Sequence, residues 1–396
     1  MGDGNARRAA VAREAAHSLK ERKDELARTH ALVGFDGFID SIIDVVDVRT
    51  GAAMHEYRRL ATIEQFAGRC AAFAGKSANI ELVVKEDRFG GNGPLMAGAM
   101  ARLGAAVTYI GGVGREDDWT KLHPTFESFA ARCREVVPIA PPAHTDALEF
   151  DDGKLMFGKT HHTLDVCWEK IVERVGLEAL RGHFARARIV GMCNWTLCTG
   201  VQGLWEGLIR EVLPVVKREG QGPRRIVIDL SDPAKRSDED LRRALATLRE
   251  MDAIVPVTLG LNLAESERVA HVLGLSVYER PGTRRLADEV REAAESIRAG
   301  IEIDCVVVHP REGAAGANRA GESDWFDGPF TAKPKLSTGA GDHFTGGFAI
   351  GQAAGLGLSA CLACACATSG VYVRDAESPT LERLCGLLEG IAQGEA

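Results

Sequence analysis

Residues 337–347 read Ser-Thr-Gly-Ala-Gly-Asp-His-Phe-Thr-Gly-Gly, and this stretch governs the reading of everything else. Gly339, Ala340 and Gly341 make a turn without side-chain bulk, followed by an apolar-periodic segment that reads as a buried helix. Such a turn lets an anion approach backbone N–H groups at the positive end of the helix. The backbone of Thr338, Gly339, Ala340 and Gly341 is therefore a candidate anion hole. Asp342 falls at the helix mouth, where the dipole favours its charged form. A carboxylate beside an anion-binding turn repels the anion. It makes chemical sense where it takes a proton from a hydroxyl that attacks a phosphate. A plain helix start with Asp342 as N-cap is the alternative that the tetrapeptide alone leaves open.

Composition narrows the class. The 396 residues are 45% hydrophobic and 26% charged, an ordinary globular balance with material for a large core. A net charge of −8 with scattered Lys and Arg gives no electrostatic footprint for nucleic acid. Residues 1–30 are charged and lack an apolar signal core, so a cytoplasmic location with reduced thiols is expected for the ten cysteines. Cys361, Cys364 and Cys366 lie among alanines, where cysteine acts as a small hydrophobe rather than a ligand. Residues 344–373 carry no charge, but they are rich in Gly, Ala and Cys, and Gly355-Leu356-Gly357-Leu358-Ser359 interrupts them. Two packed helices are expected there, not a membrane span.

Residues 6–28 read as a charged amphipathic surface helix. Strand-like runs then follow at Ala31–Phe35, Val107–Gly111, Ile189–Met192, Ile226–Leu230, Ala253–Val257 and Cys305–Val308. Helical patterns fall between most of them, at Leu95–Leu103, Leu204–Lys217, Asp238–Met251 and Leu261–Leu273. This alternation predicts a mainly parallel sheet covered on both faces. Ile42–Arg49, Ile80–Lys85, Val136–Ile139 and Ala147–Phe157 break the rhythm as extra strands, the last with a turn at Asp151-Asp152-Gly153. Strands inserted near the carboxyl ends of a parallel sheet can cover a ligand there.

Other stretches carry candidate chemistry. In Gly34-Phe35-Asp36-Gly37-Phe38-Ile39-Asp40, two carboxylates near the end of the first strand can accept hydrogen bonds from a polyol, or can simply be solvated in a turn. In Arg88-Phe89-Gly90-Gly91-Asn92-Gly93-Pro94, glycines allow close backbone approach before a helix, and Asn92 offers both donor and acceptor. Asn262-Leu263-Ala264-Glu265 opens another helix and also fits a capping box.

Together these motifs resemble the ribokinase-like (PfkB) carbohydrate kinases, over roughly residues 31–375. The resemblance implies an α/β three-layer sandwich with a mainly parallel central sheet and a small β-lid. It further implies one domain over 1–396, with lid strands inserted within 42–88 and 136–158. The implied reaction transfers the terminal phosphoryl group of ATP to a sugar hydroxyl, with Asp342 as base. Asp40, and second to it Asp36, would hold the acceptor together with Gly91 and Asn92. Asn262 would lie near the phosphates, and Glu265 would organise Mg²⁺ through water. Asp232-Pro233-Ala234-Lys235-Arg236 partly resembles a D-P-N-x-R element, which makes Arg236 a phosphate candidate. At Val306–Glu312 the family's usual glycine pair is replaced by Pro310, leaving Gly313 for the nucleotide. The asparagine common after the first glycine cluster is Leu95 here. A monovalent cation such as K⁺ and a homodimer through the lid also follow from the resemblance. A nucleoside kinase, an ADP-dependent sugar kinase and a non-catalytic sugar sensor remain as alternatives.

Overall fold

Short apolar runs that are buried on both sides can only be interior strands, and the computed structural model, which describes residues 2–218, 222, 224–278 and 285–395, places them so. The strands are β1 (His30–Phe35), β2 (Phe38–Arg49), β3 (Tyr57–Arg59), β4 (Leu82–Gly90), β5 (Ala106–Gly111), β6 (Glu135–Pro138), β7 (Ala143–Phe150), β8 (Gly153–Lys159), β9 (Ile189–Cys193), β10 (Arg225–Asp229), β11 (Val257–Leu261), β12 (Cys305–Val308), β13 (Gly313–Asn318) and β14 (Ser323–Asp327). The large sheet has the order β14-β13-β12-β11-β10-β9-β1-β5-β6. It is parallel from β12 to β6, and β13 and β14 add an antiparallel edge.

Successive side chains leave a strand on opposite faces, so each strand feeds two core layers. Val33, Val107 and Val227 pack under the helices Asn92–Arg102, Ala340–Ala353 and Leu358–Asp375. Leu32, Val190, Ile226 and Ile228 pack under the helices Val201–Glu211, Asp238–Asp252, Leu263–Leu273 and Leu286–Ile301. The chain grows outward from β1 through β5 to β6, then returns to the other side of β1 with β9. The reversal at β1 opens a crevice beyond the carboxyl ends of the strands, where α/β sheets take ligands.

The lid is a separate sheet of the order β3-β2-β7-β8, with β4 also paired to β2. It grows directly from the end of β1, because β2 begins only three residues after Phe35. Its outer face carries a small core of Ile43, Val45, Leu60, Leu148 and Phe150, covered by the helix Ile63–Ala72.

Several expected boundaries shift. The lid strands begin at Phe38 and end at Lys159, and β4 occupies Leu82–Gly90 rather than Ile80–Lys85. Val136–Ile139 does not serve the lid: β6 pairs in parallel with β5 at the edge of the large sheet. The strand expected at Ala253–Val257 starts at Val257. Residues 253–255 instead close the preceding helix, with Ile254 and Val255 N–H on the Met251 carbonyl. Leu204–Lys217 divides into Val201–Glu211 and Leu213–Arg218, with Pro214 in the first turn of the second piece. The charge-free stretch forms the helices Ala340–Ala353 and Leu358–Asp375, and no helix among the described residues is long and apolar enough to cross a membrane.

Candidate active site

The functional candidates gather because each follows a strand of the large sheet: Asp36 after β1, Asn194 after β9, Asp229 at the end of β10, Asn262 after β11 and His309 after β12. Asn194, Ser231 and Asp232 have left-handed φ values of 61°, 60° and 60°, so backbone strain concentrates where β9 and β10 end.

Asp36 is fully buried. Its Oδ1 accepts the Gly93 N–H at 2.7 Å, and its Oδ2 accepts the Asn92 N–H at 3.0 Å and Asn194 Nδ2 at 2.7 Å. Asp36 therefore satisfies the first amides of the helix Asn92–Arg102, whose N-cap residue, Gly91, has no side chain to do so. Burial pushes its pKa up, and these bonds oppose the rise. The helix it anchors presents Asn92, whose Nδ2 donates to Asp342 Oδ1 at 2.8 Å.

Asp342 stands in the first turn of the helix Ala340–Ala353 and is 6% exposed. Burial drives its pKa well above the ordinary carboxylate range, and the Asp229 carboxylate adds to the rise; Asn92 opposes it, while Asp36 and Glu265 reinforce it. Asp229 is raised in the same way, by burial and then by Glu265. Its Oδ1 takes Ser231 N–H at 3.0 Å and Ser231 Oγ at 3.1 Å. Glu265 closes a capping box with Asn262: Oε2 accepts Asn262 N–H at 2.8 Å, and Asn262 Oδ1 accepts Glu265 N–H at 2.9 Å. Its Oε1 accepts Asp232 N–H at 2.8 Å. The capping reading of Asn262 and Glu265 is thus realised, while Glu265 also faces the carboxylate cluster electrostatically.

Asp40 lies on the inner face of the lid, opposite Arg88 of β4 and Thr145 of β7. Burial raises its pKa, and a hydrogen bond with Thr145 opposes the rise. A Cβ on Gly90 would sit 2.3 Å from Asp40 Oδ2, so the glycine is what makes room for this carboxylate.

On the other side of Asp342 the turn comes from Gly339, with φ of 87°. Ala340 N–H closes it on the Ser337 carbonyl at 3.1 Å, whereas the N–H groups of Gly339, Gly341 and Asp342 have no acceptor among the described residues. Of the expected anion hole, Thr338, Gly339 and Gly341 keep free N–H donors. Ala340 uses its own internally, and Thr338 contributes its carbonyl to Tyr372 Oη at 2.8 Å. A cleft of about 570 Å³ opens beside the turn, lined by Asn262, His309, Gly313, Phe330, Gly341 and Phe344 among others. His309 stacks on Phe344 with ring centroids 4.3 Å apart, and burial lowers its pKa to about 4, so it is neutral. Pro310 and Arg311 also line the cleft, with the Arg311 guanidinium 5.8 Å from the Phe330 ring.

Arg236 does not line this cleft. Its guanidinium lies 4.4 Å over the Trp195 ring, 3.3 Å from Asp240 Oδ2 and 3.4 Å from the Trp195 and Thr196 carbonyls, which ties down a loop instead. Asp229 and Asn194 escaped the sequence reading. The available signal was a polar residue directly closing or following a fully apolar strand.

Mg²⁺ takes oxygen ligands and keeps several waters. Among the described residues no group of three or more His, Cys, Asp or Glu side chains forms a metal cage. Yet Asp229 and Glu265 both raise the pKa of Asp342, Glu265 raises that of Asp229, and no cation is among the main charges acting on Asp229 or Asp342. Oxygen donors short of positive charge fit a hydrated divalent ion that is held chiefly by a phosphate ligand.

A family model described as prokaryotic ketohexokinase matches residues 7–391. A ketohexokinase of Haloferax volcanii is 28% identical over 375 residues, covering 94% of this chain and 93% of that protein. Among solved structures, ribokinase of Arabidopsis thaliana complexed with ribose and ATP superposes with a TM-score of 0.59 at 18% identity, over 91% of this chain and 98% of that one. Phosphofructokinase-2 of Escherichia coli in complex with fructose-6-phosphate gives 0.59 at 16% identity, over 92% and 99%. These neighbours share the mostly parallel sheet and its lid.

Proposed function

The chain belongs to the prokaryotic ketohexokinase family, and from that premise we propose that it transfers the terminal phosphoryl group of ATP to a hydroxyl of a ketohexose. The observation that supports this most is the 2.8 Å bond from Asn92 to Asp342, which joins the lid side of the crevice to a helix mouth with free amides. In this reading the sugar lies under the lid, with hydroxyls on Asp40 and Asn92, and Asp36 holds Asn92 in place rather than touching the sugar. Asp342 takes the proton of the attacking hydroxyl. The N–H groups of Gly339 and Gly341 receive charge on the transferring phosphoryl group. The nucleotide fills the cleft beside His309 and Gly313. Asp229 and Glu265 would hold hydrated Mg²⁺, which, when bound, supplies positive charge to the phosphate oxygens. Positioning both substrates under a closed lid contributes about 7–11 kcal/mol of barrier reduction in well-oriented cases.

The reading extends to a cytoplasmic enzyme activated by a monovalent cation such as K⁺, and to a homodimer formed through the lid. Its test is a coupled assay of the purified protein over ketohexoses, aldoses, other polyols and nucleosides, with ATP or ADP as donor. Turnover of a ketohexose with ATP and Mg²⁺, faster in K⁺ than in Na⁺, is expected. Turnover with nucleosides alone, or with ADP alone, would replace the reading by a nucleoside kinase or an ADP-dependent kinase. Sugar binding without any turnover would leave a sensor.

A further inference from the structure

We propose that Tyr372 and His343 are positioning residues for the phosphoryl transfer, clamping the carbonyls of Thr338 and Gly339 so that the turn keeps the shape that leaves its N–H groups free for the transferring phosphoryl group. The inference rests on the sugar-kinase reading above.

In a trans peptide the C=O and N–H bonds of one unit point in opposite directions. Holding the Thr338 carbonyl therefore aims the Gly339 N–H the opposite way. Tyr372 Oη does this at 2.8 Å, reaching from the last turns of the helix Leu358–Asp375. The next unit is held by His343. Its Nδ1 donates to the Gly339 carbonyl at 2.7 Å, and the His343 backbone N–H donates to the same oxygen at 3.1 Å. With that carbonyl fixed, Ala340 N–H points back to Ser337 and closes the turn.

A carbonyl can only accept, so Nδ1 carries the ring proton and Nε2 is the acceptor. Ser378 Oγ supplies that bond at 2.8 Å. Burial lowers the His343 pKa to about 4, which keeps this single tautomer across the neutral range. The two rings stack with centroids 3.6 Å apart and planes 14° from parallel, so each restrains the other. Ser378 is itself anchored: its carbonyl accepts Arg102 Nε at 3.1 Å, from the helix that begins at Asn92. Lys335 N–H on the Val373 carbonyl at 2.8 Å ties the approach to the turn to the same helix end. The donor turn is thus referenced to the elements that carry the acceptor-side groups.

Mere packing would be served as well by phenylalanine at 372. The hydroxyl is what reaches the turn, and the experiment isolates it. Tyr372→Phe keeps the stack and removes only the bond to Thr338. We expect kcat to fall about tenfold with KM for the sugar within twofold, as for an interaction made in the transition state alone. Amide hydrogen exchange at Ala340 and His343 should quicken about tenfold in the same variant. Ser378→Ala, which frees Nε2, should give a smaller drop of about threefold in kcat. Unchanged exchange in Tyr372→Phe overturns the clamp, and faster exchange with unchanged kcat overturns its catalytic role. Should the unaltered protein phosphorylate no sugar, the exchange arm still decides whether the clamp exists, so the two failures separate.

Discussion

At Asp342, burial and neighbouring charge act in the same direction, and both oppose the ionised form that a base needs. Asp342→Asn should bind both substrates while kcat falls by roughly 10²–10⁴-fold, the usual share of a general base; steady-state kinetics at saturating substrate checks this, and a kcat within twofold excludes the base role. A raised pKa means that kcat/KM drops on acidification at a higher pH than an ordinary carboxylate would give. Asp229→Asn removes a neighbour that raises this pKa and should move the acid limb to lower pH; Asn92→Ala removes a bond that lowers it and should move the limb up. A limb fixed in both variants would contradict the coupling. For folding the dependence runs the opposite way. Carboxylates raised in the folded state contribute stability that is present in acid and lost as pH rises through their folded pKa. At this scale Asp342, Asn92, Asn262 and Glu265 were recognisable from type and spacing. Asp229 was not, because one acid closing an apolar strand looks like any strand end, and the engagement of Arg236 with Trp195 was invisible, since a stacking partner 41 residues away leaves no local mark.

For elements, periodicity was a sound guide wherever burial followed it. The alternation of apolar strands and helices foretold the parallel sheet, because two-sided burial forces apolar residues at every strand position. The N-terminal segment shows where the guide stops. An amphipathic surface helix was expected over residues 6–28, and the helix Gly2–Glu21 buries Ala12, Ala15, Ala16 and Leu19 against the C-terminal helices, but the pattern did not say how completely. Three of these are alanines, too small to raise the apolar signal but well suited to close helix packing. Leu19 is the large member of the stripe and is fully buried. Leu19→Ala should destabilise the fold by about 2–5 kcal/mol, the range for a leucine cavity that relaxes only partly; urea unfolding measures it, and a loss below 1 kcal/mol would mean that the helix is not part of the cooperative unit.

In the whole molecule, the lid grows from the very strand whose end carries Asp36, so sugar-side and sheet-side groups are joined by only a few residues of chain. Leu82, Val84 and Phe157 on the lid strands are 44%, 50% and 48% exposed, an apolar surface on an otherwise charged excursion. In the proposed homodimer these side chains are covered, so sedimentation at micromolar protein should give a dimer, and Val84→Lys combined with Phe157→Lys should shift it to monomer; a native monomer removes the lid interface. The sequence by itself determined the parallel α/β plan, the glycine turn with its acid, and the capped helix at Asn262, because each depends on residues within a turn or two of one another. Only the tertiary structure decided that Asn92 meets Asp342 across 250 positions, that Asp36 serves a helix terminus, that β6 belongs to the large sheet, and that Asp229, Asp36 and Glu265 raise the pKa of Asp342. Those outcomes depend on which strand ends become neighbours and how deeply they are buried. Charge and hydrogen bonding act through space at a few ångströms, and spacing along the chain does not encode that distance.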